Sequence, residues 1–396
     1  MATSAAVGII QAVFGNDATF GGAPQIENTT ESIKSAWTFI NSYEPRLNYF
    51  CNALVDRIGL TVMRYISFED PWQVFDKGVL GTGATVQEIY VMMQKATPYF
   101  SADRATNDEV MKAEFGSDPA EVYSAYHAVN SRIKYKVTVN REALETAFMS
   151  EANLSAFVQN IIDQIYKPAE LDAFIMKKYL LYQLVKNDKL KKVAVDAVTD
   201  EASGKTLVKK FRQIYGKMKF ISKEYNAAGI PMNTPAERLY TIVPVDISAS
   251  IDVDVLASAF NMDKADFMGH RLEVDSFALN EYEVERLEHL LTGNDFSGSA
   301  AVTVATGGDQ TYTHVTPNDK DMTAIQALMV DRDFFQVYTK LDTMRETDLG
   351  STLDWNYFHH IWRIYSASPF ANAVQFTTNA VQSTTNAVQS TTKAES

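Results

Sequence analysis

Residues 352–376, Thr-Leu-Asp-Trp-Asn-Tyr-Phe-His-His-Ile-Trp-Arg-Ile-Tyr-Ser-Ala-Ser-Pro-Phe-Ala-Asn-Ala-Val-Gln-Phe, decide the reading of this chain. The stretch is dense in large aromatics: Trp355, Tyr357, Phe358, Trp362, Tyr365 and Phe370. Read as a strand, successive side chains point to opposite faces. One face then carries Trp355, Tyr357, His359 and Ile361, and the other Phe358, His360, Trp362 and Ile364. A strand apolar on both sides needs cover on both sides, from its own domain or from a neighbouring subunit.

Upstream, Phe334–Met344 predicts the partner of Trp355–Tyr365 in a long hairpin around Gly350. Ile133, Tyr135, Val137 and Val139 alternate with Lys134, Lys136 and Thr138, the pattern of a half-buried strand. Ile89–Met93 is a short apolar strand, entered through Gly78, Gly81 and Gly83. Between the two, residues 97–125 hold six acids and two bases, with Pro98 and Pro119 near the ends. An excursion of this length inside a folded chain is functional or disordered. Its Tyr99, Phe100, Phe115 and Tyr123 favour a loop that packs on a partner.

Helical spacing is clearest after Ser150, where Leu154, Phe157, Val158, Ile161, Ile162 and Ile165 recur at intervals of three and four. Pro168 removes a backbone donor and predicts a kink near Gln164, since Leu171, Phe174, Ile175, Tyr179 and Leu180 resume the stripe. Asn28 and Glu31 have capping-box spacing before Ile33, Ala36, Trp37 and Ile40. Leu47 to Ile58 continues as a second amphipathic helix beyond Pro45. Leu239–Val245 and Arg271–Phe277 read as strands, with a helix at Val253–Phe260 capped by Asp252. Residues 293–324 turn rich in Gly, Ser, Thr, Asp and Asn, and Val302, Val304, Tyr312 and His314 flank a Gly-Gly-Asp turn as a hairpin does. From Asn372 a seven-residue unit repeats three times, with adjacent Ala and Val but no second apolar position to complete a coiled-coil seam. It reads as a low-complexity tail or a docked strand.

The chain has 396 residues and a net charge of −13, which opposes broad binding to nucleic acid. Lysines and arginines gather between Lys186 and Lys223, either as a solvated or inter-subunit face or as a DNA-facing patch. Cys51 is the single cysteine, so neither an intrachain disulfide nor a thiolate metal cluster can form, and a small buried hydrophobe is expected there. The apolar run Ala5–Phe14 lacks a basic flank and is too short to span a membrane, so a soluble, cytoplasmic origin is expected.

The chemical motifs are incomplete. Ala202-Ser203-Gly204-Lys205-Thr206 ends like a phosphate-binding loop, but Thr199 stands where that loop needs glycine. His359 and His360 are adjacent on a strand and cannot chelate one ion. Asp252 and Asp254 lack the glycine and glutamate of a calcium loop. No enzyme activity, catalytic residue, metal or cofactor is expected.

Several blocks in register are similar to the major capsid proteins of small short-tailed phages of the phi-29 type. They are Leu54–Leu60, Ala147-Phe148 with the helix through Ile165-Tyr166, Ile251–Met262 with Asp266–Gly269, Asp331–Tyr338, and Trp355–Phe376. The resemblance implies an α+β Hong Kong 97-type capsid fold. Its parts would be an N-terminal arm at 1–27, an extended loop at 76–140, and an axial domain at 223–330 with an insertion near 280–324. The peripheral domain would comprise 28–75, 141–222 with the long spine helix, and 331–371, followed by a repeat tail at 372–396. It implies a major head protein, assembled in the host cytoplasm into an icosahedral or prolate virion shell around double-stranded DNA. The partners so implied are further copies in hexamers and pentamers, a scaffolding protein, a portal or connector, and packaged DNA through weak non-specific contact, with no membrane. Phe100, Phe115 and Tyr123 are the expected subunit contacts. An encapsulin-like nanocompartment shell and a soluble enzyme are the rival readings. Relatives can carry an immunoglobulin-like C-terminal domain, to which the resemblance does not extend.

Overall fold

Thr29, not Asn28, caps the first helix: its side chain accepts from the Ser32 backbone N–H at the head of α1 (Thr30–Asn41). Ile33, Ala36 and Ile40 make its buried stripe, and residues 45–50 add a helical turn that buries Leu47 and Phe50. The computed structural model describes residues 23–27, 29–43, 45–50, 70–81, 83, 85–96, 119–149, 151–199, 201–250, 270–292, 315–349 and 354–378, with Gln11 and Phe14 besides. Asn28, Cys51–Ile58, Phe100, Phe115, the helix expected at 253–260, the hairpin expected at 302–314 and the tail from Asn379 lie outside the described residues.

Next along the chain come β1 (Asp76–Val79), β2 (Thr85–Val91), β3 (Val122–Ala128) and β4 (Ser131–Asn140). The alternation read at Ile133–Val139 holds, with Val137 and Val139 buried and Lys134 and Lys136 exposed. The 97–125 excursion is shorter than expected, because Val122 already pairs with Val91. A short helix α2 (Arg141–Ala147) leads into α3 (Glu151–Lys186), 36 residues and about 54 Å long. Pro168 lies inside it and does not end it. The apolar spacing on both sides of the proline explains this, since one lost backbone bond is small beside burying Ile165, Phe174, Ile175, Tyr179 and Leu180.

Then follow β5 (Lys191–Ala194) and α4 (Glu201–Met218). The basic stretch is largely the outer side of α4: Leu207, Phe211, Ile214 and Met218 are buried, while Lys205, Lys209, Arg212 and Lys217 are exposed. The Ser203–Thr206 segment is helical within α4, not a loop after a strand. β6 (Leu239–Pro244), α5 (Val245–Ser250) and β7 (His270–Val274) precede α6 (Glu281–Thr292), a helix not anticipated in the insertion expected near 280–324. Val284, Leu287 and Leu291 of α6 and the following Val315 belong to the main core. The short α7 (Lys320–Thr323) is capped by Asp319, and β8 (Ile325–Asp331) is buried along its whole length. The long hairpin is present as β9 (Phe335–Leu349) and β10 (Asp354–Ala367), and β11 (Ala373–Thr377) completes the fold.

The strands form a four-stranded sheet in the order β1-β9-β10-β4, a five-stranded sheet in the order β5-β11-β8-β6-β7, and a separate β2-β3 ribbon. Helix α3 spans two clusters. Its Ile165 joins Ile33, Phe50, Val139, Phe148, Trp355 and Tyr357, whereas Phe174 to Val185 join Trp72, Leu287, Leu328, Phe335 and Tyr365. A third cluster packs α4 on β11 through Phe211 and Phe376, whose ring centroids are 4.6 Å apart.

Candidate assembly surfaces

The β2-β3 ribbon has one side for the body and one side for solvent. Register runs from Thr85 opposite Ala128 to Val91 opposite Val122, and Met92 N–H extends it to Glu121 C=O at 2.8 Å. Strand alternation places Val86, Glu88 and Tyr90 with His127, Ala125 and Tyr123 on the inner side. His127 is fully buried there; its Nδ1 lies 2.8 Å from Ser366 Oγ and its Nε2 3.3 Å from Glu88. Glu88 also accepts from Ser368 at 2.8 Å, and Tyr90 donates to Pro231 C=O at 2.6 Å. Ala125, Ile230 and Phe370 close a small apolar contact beneath the ribbon.

The opposite side carries Ile89, Val91, Val122 and Tyr126, each more than half exposed. Two-stranded ribbons are marginal in water, and this one exposes β-branched and aromatic side chains. Of the expected contact residues, Tyr123 lies on this ribbon at 38% exposure, but on the inner side beside Tyr90. The outward residues were visible only as an apolar run in the sequence; their exposure depends on where the ribbon stands.

The four-stranded sheet divides as the alternation predicted. Trp355, Tyr357, His359 and Ile361 of β10 are buried toward α1 and α3. His359 pairs with Asp342 at 2.7 Å, and its hydrogen bond holds that carboxyl below the usual carboxylate range. His360, on the other face, does not join it. That other face is only partly covered, with Phe358 and His360 intermediate and Trp362 36% exposed. The cover on this side is cationic: Arg132 sits 5.0 Å over the Trp362 ring and Lys136 6.0 Å over Phe358.

Charged groups inside the fold pin segments to α3. Lys177 Nζ is 2.5 Å from Asp70 and 2.6 Å from Asp76. Burial pulls the Lys177 ammonium down, but the two aspartates outweigh it and hold its pKa above the ordinary lysine value. Lys178 Nζ is 2.9 Å from both Asp275 and Glu283, and Asp172 joins the Tyr135 hydroxyl and Arg286 at 2.6 Å each. These pairs tie the entry to β1 and the start of α6 onto one helix. Among the described residues no group of three His, Cys, Asp or Glu is placed to hold a metal, and no helix is long and apolar enough to cross a membrane.

Comparison with known proteins gives a consistent picture. A family model described as Phi29-like phage major capsid protein matches residues 13–377. The major capsid protein of Bacillus phage B103 is 30% identical over 334 residues, covering 84% of this chain and 64% of that protein. That of Bacillus phage GA-1 is 30% identical over 333 residues, covering 83% and 60%. The chain thus spans a little under two thirds of the length of these relatives. Among solved structures, a chain from the structure of head fiber and inner core protein gp22 of native bacteriophage P68 has a TM-score of 0.56 at 15% identity, covering 79% of this chain and 86% of that one. The capsid structure of Staphylococcus phage Andhra gives 0.51 at 14% identity, covering 79% and 85%. At such identities the likeness is one of fold, and the fold is the α+β one of phage capsids.

Proposed function

The chain belongs to the Phi29-like phage major capsid protein family, and on that premise we propose that it is the repeating head subunit of a tailed bacteriophage, self-assembling into a shell around double-stranded DNA. The observation that carries this is the β2-β3 ribbon. It pairs with neither of the two larger sheets and turns Ile89, Val91, Val122 and Tyr126 outward, with nothing among the described residues of the same chain to cover them. Neighbouring copies are the occupants that a family of shell proteins supplies.

In this scheme residues 1–27 are the arm, 76–140 the extended loop with β1 and β4 at its two ends, and α3 with β9 and β10 part of the peripheral domain. The five-stranded sheet contributes to the axial domain at 223–330, and α6 belongs to the body of that domain. Phe100, Phe115 and Tyr123 remain contact candidates, joined now by the outward residues of the ribbon. A scaffolding protein, a portal and packaged DNA would be the other partners, and the site would be the virion. Coexpression with the scaffolding protein of the same phage, then size-exclusion chromatography and negative-stain imaging, tests the scheme. Closed particles are expected. A chain that stays monomeric or forms only small oligomers under those conditions overturns it.

A further inference from the structure

We infer that Phe376 selects which of three near-identical units of the C-terminal sequence occupies the strand slot between β5 and β8. The units are Asn372–Thr378, Asn379–Thr385 and Asn386–Thr392. They differ at one position in seven, where Phe376 is followed by Ser383 and Ser390. The first unit supplies β11. Its backbone pairs with β8 from Ala373 opposite Val330 to Phe376 opposite Ala327, and with β5 from Val374 opposite Lys191 to Thr377 opposite Ala194. Ladders of this kind are made by main-chain groups and read no side chain. By the backbone alone, the slot would accept any of the three units.

The side chains that the units share discriminate no better. Asn372 donates to Thr234 Oγ1 and accepts from Asn226 Nδ2, both at 3.2 Å, and Asn379 or Asn386 offers the same amide. The buried Ala373 and Val374 recur as Ala380 and Val381. The fifth position alone decides. Phe376 is fully buried in the cluster of Leu207, Phe211, Met218 and Val243, with its ring edge-on to Phe211. A serine brought there leaves a void the size of a ring and sets a hydroxyl among apolar groups. Such a change in a core shifts an equilibrium by about a hundredfold or more. Against that, a slip by one unit lengthens the connection 368–372 by seven residues. Loop cost grows only with the logarithm of length. The ring outweighs the connection, so moving the ring along the sequence should move the strand.

Four full-length variants test this as unassembled subunits, by urea unfolding and by carboxypeptidase trimming with intact-mass measurement. Phe376→Ser should raise the unfolding equilibrium constant about a hundredfold or more. Adding Ser383→Phe should restore at least about tenfold of that loss, and trimming should then stop near Thr385 instead of near Thr378. Adding Ser390→Phe in its place should restore about two- to threefold less, because the added connection doubles. Adding Thr384→Phe in its place supplies the same ring one position out of phase and should restore nothing. If Ser383→Phe gives no recovery, or trimming of that double variant still stops near Thr378, the inference is overturned. Equal recovery with Thr384→Phe also overturns it, since added apolar area and not its place would then be acting. So does a Phe376→Ser subunit as stable as the wild type, which would mean that the slot does not read the ring. If Phe376→Ser does not accumulate as soluble protein, soluble protein on adding Ser383→Phe, trimmed to near Thr385, is the supporting result. Insolubility of that double variant as well is then the overturning one.

Discussion

Lys177 holds together parts of the chain that lie far apart in sequence. It reaches from the middle of α3 to Asp70 and Asp76, two carboxylates more than 100 positions earlier, inside a core lined by Trp72 and Phe174. Removing one partner from a buried pair costs more than the pair contributed, because the remaining charge is left desolvated. Lys177→Met should therefore destabilise the unassembled subunit by about 3–5 kcal/mol, read from urea unfolding. A loss under about 1 kcal/mol would mean that Asp70 finds water or another donor. The His359–Asp342 pair makes a pH prediction whose sign is fixed. Asp342 has its folded pKa held below its ordinary 3.8, chiefly by the hydrogen bond from His359. Its contribution is thus fully present above about pH 4 and is lost as pH falls through the lower folded value. Asp342→Asn should flatten the fall of melting temperature below about pH 4 and leave the neutral range little changed. An unchanged acid limb would assign acid unfolding to other carboxylates, Asp333 among them, which is also lowered despite its burial through Lys77.

Among the elements, those with long regular periods could be read from sequence, and those stabilised by distant charge could not. Val137 and Val139, and the stripe from Ile165 to Leu180, repeat a period over enough residues to override Pro168. Helix α6 was hidden because its stripe is only Val284, Leu287 and Leu291, set among acids and followed at once by Gly and Ser. Its attachment runs through Glu283 to Lys178 and Arg286 to Asp172, contacts that cross more than 100 positions. Helix α4 was masked by its own lysines, which drew attention from Leu207, Phe211 and Ile214. For the surfaces, sequence singled out Tyr123, but the side of the ribbon it occupies needed the register. A prediction follows for the loop-rich stretch. Because α6 and Val315 belong to the core, only the residues between them are dispensable for folding. Excising 294–313 behind a short glycine link should keep the subunit's melting temperature within about 2 °C, whereas an excision begun at 281 should yield insoluble protein. Equal behaviour of the two excisions would mean that α6 contributes nothing to the core.

At the scale of the whole molecule, the described fold closes at Thr378. β11 is the inner strand between β8, antiparallel, and β5, parallel, and all five of its residues are buried. Thr378 still donates its backbone N–H to Ala324 C=O at 3.0 Å. From Asn379 two further copies of the unit Asn372–Thr378 follow, each with serine at the position of Phe376 and one Ala-Val pair per seven residues. Ordering seven residues costs about 7–14 kcal/mol in backbone entropy, while burying one Val and one Ala returns about 2–3 kcal/mol. The repeat therefore cannot dock on its own apolar content, and Thr pairs do not favour helix. A stop codon after Thr378 should leave subunit stability and particle yield unchanged. A stop after Asn372 removes Val374 and Phe376 from the cluster beneath α4 and leaves the edges of β5 and β8 unpaired. At about 2–5 kcal/mol for each lost core side chain, that truncation should not accumulate as soluble protein. Sedimentation of the two truncations beside the full chain separates the outcomes. Soluble subunits that fail to form particles after the Thr378 stop would mean that the repeat binds a neighbour through its amide and hydroxyl groups, since its apolar residues are too few to do so.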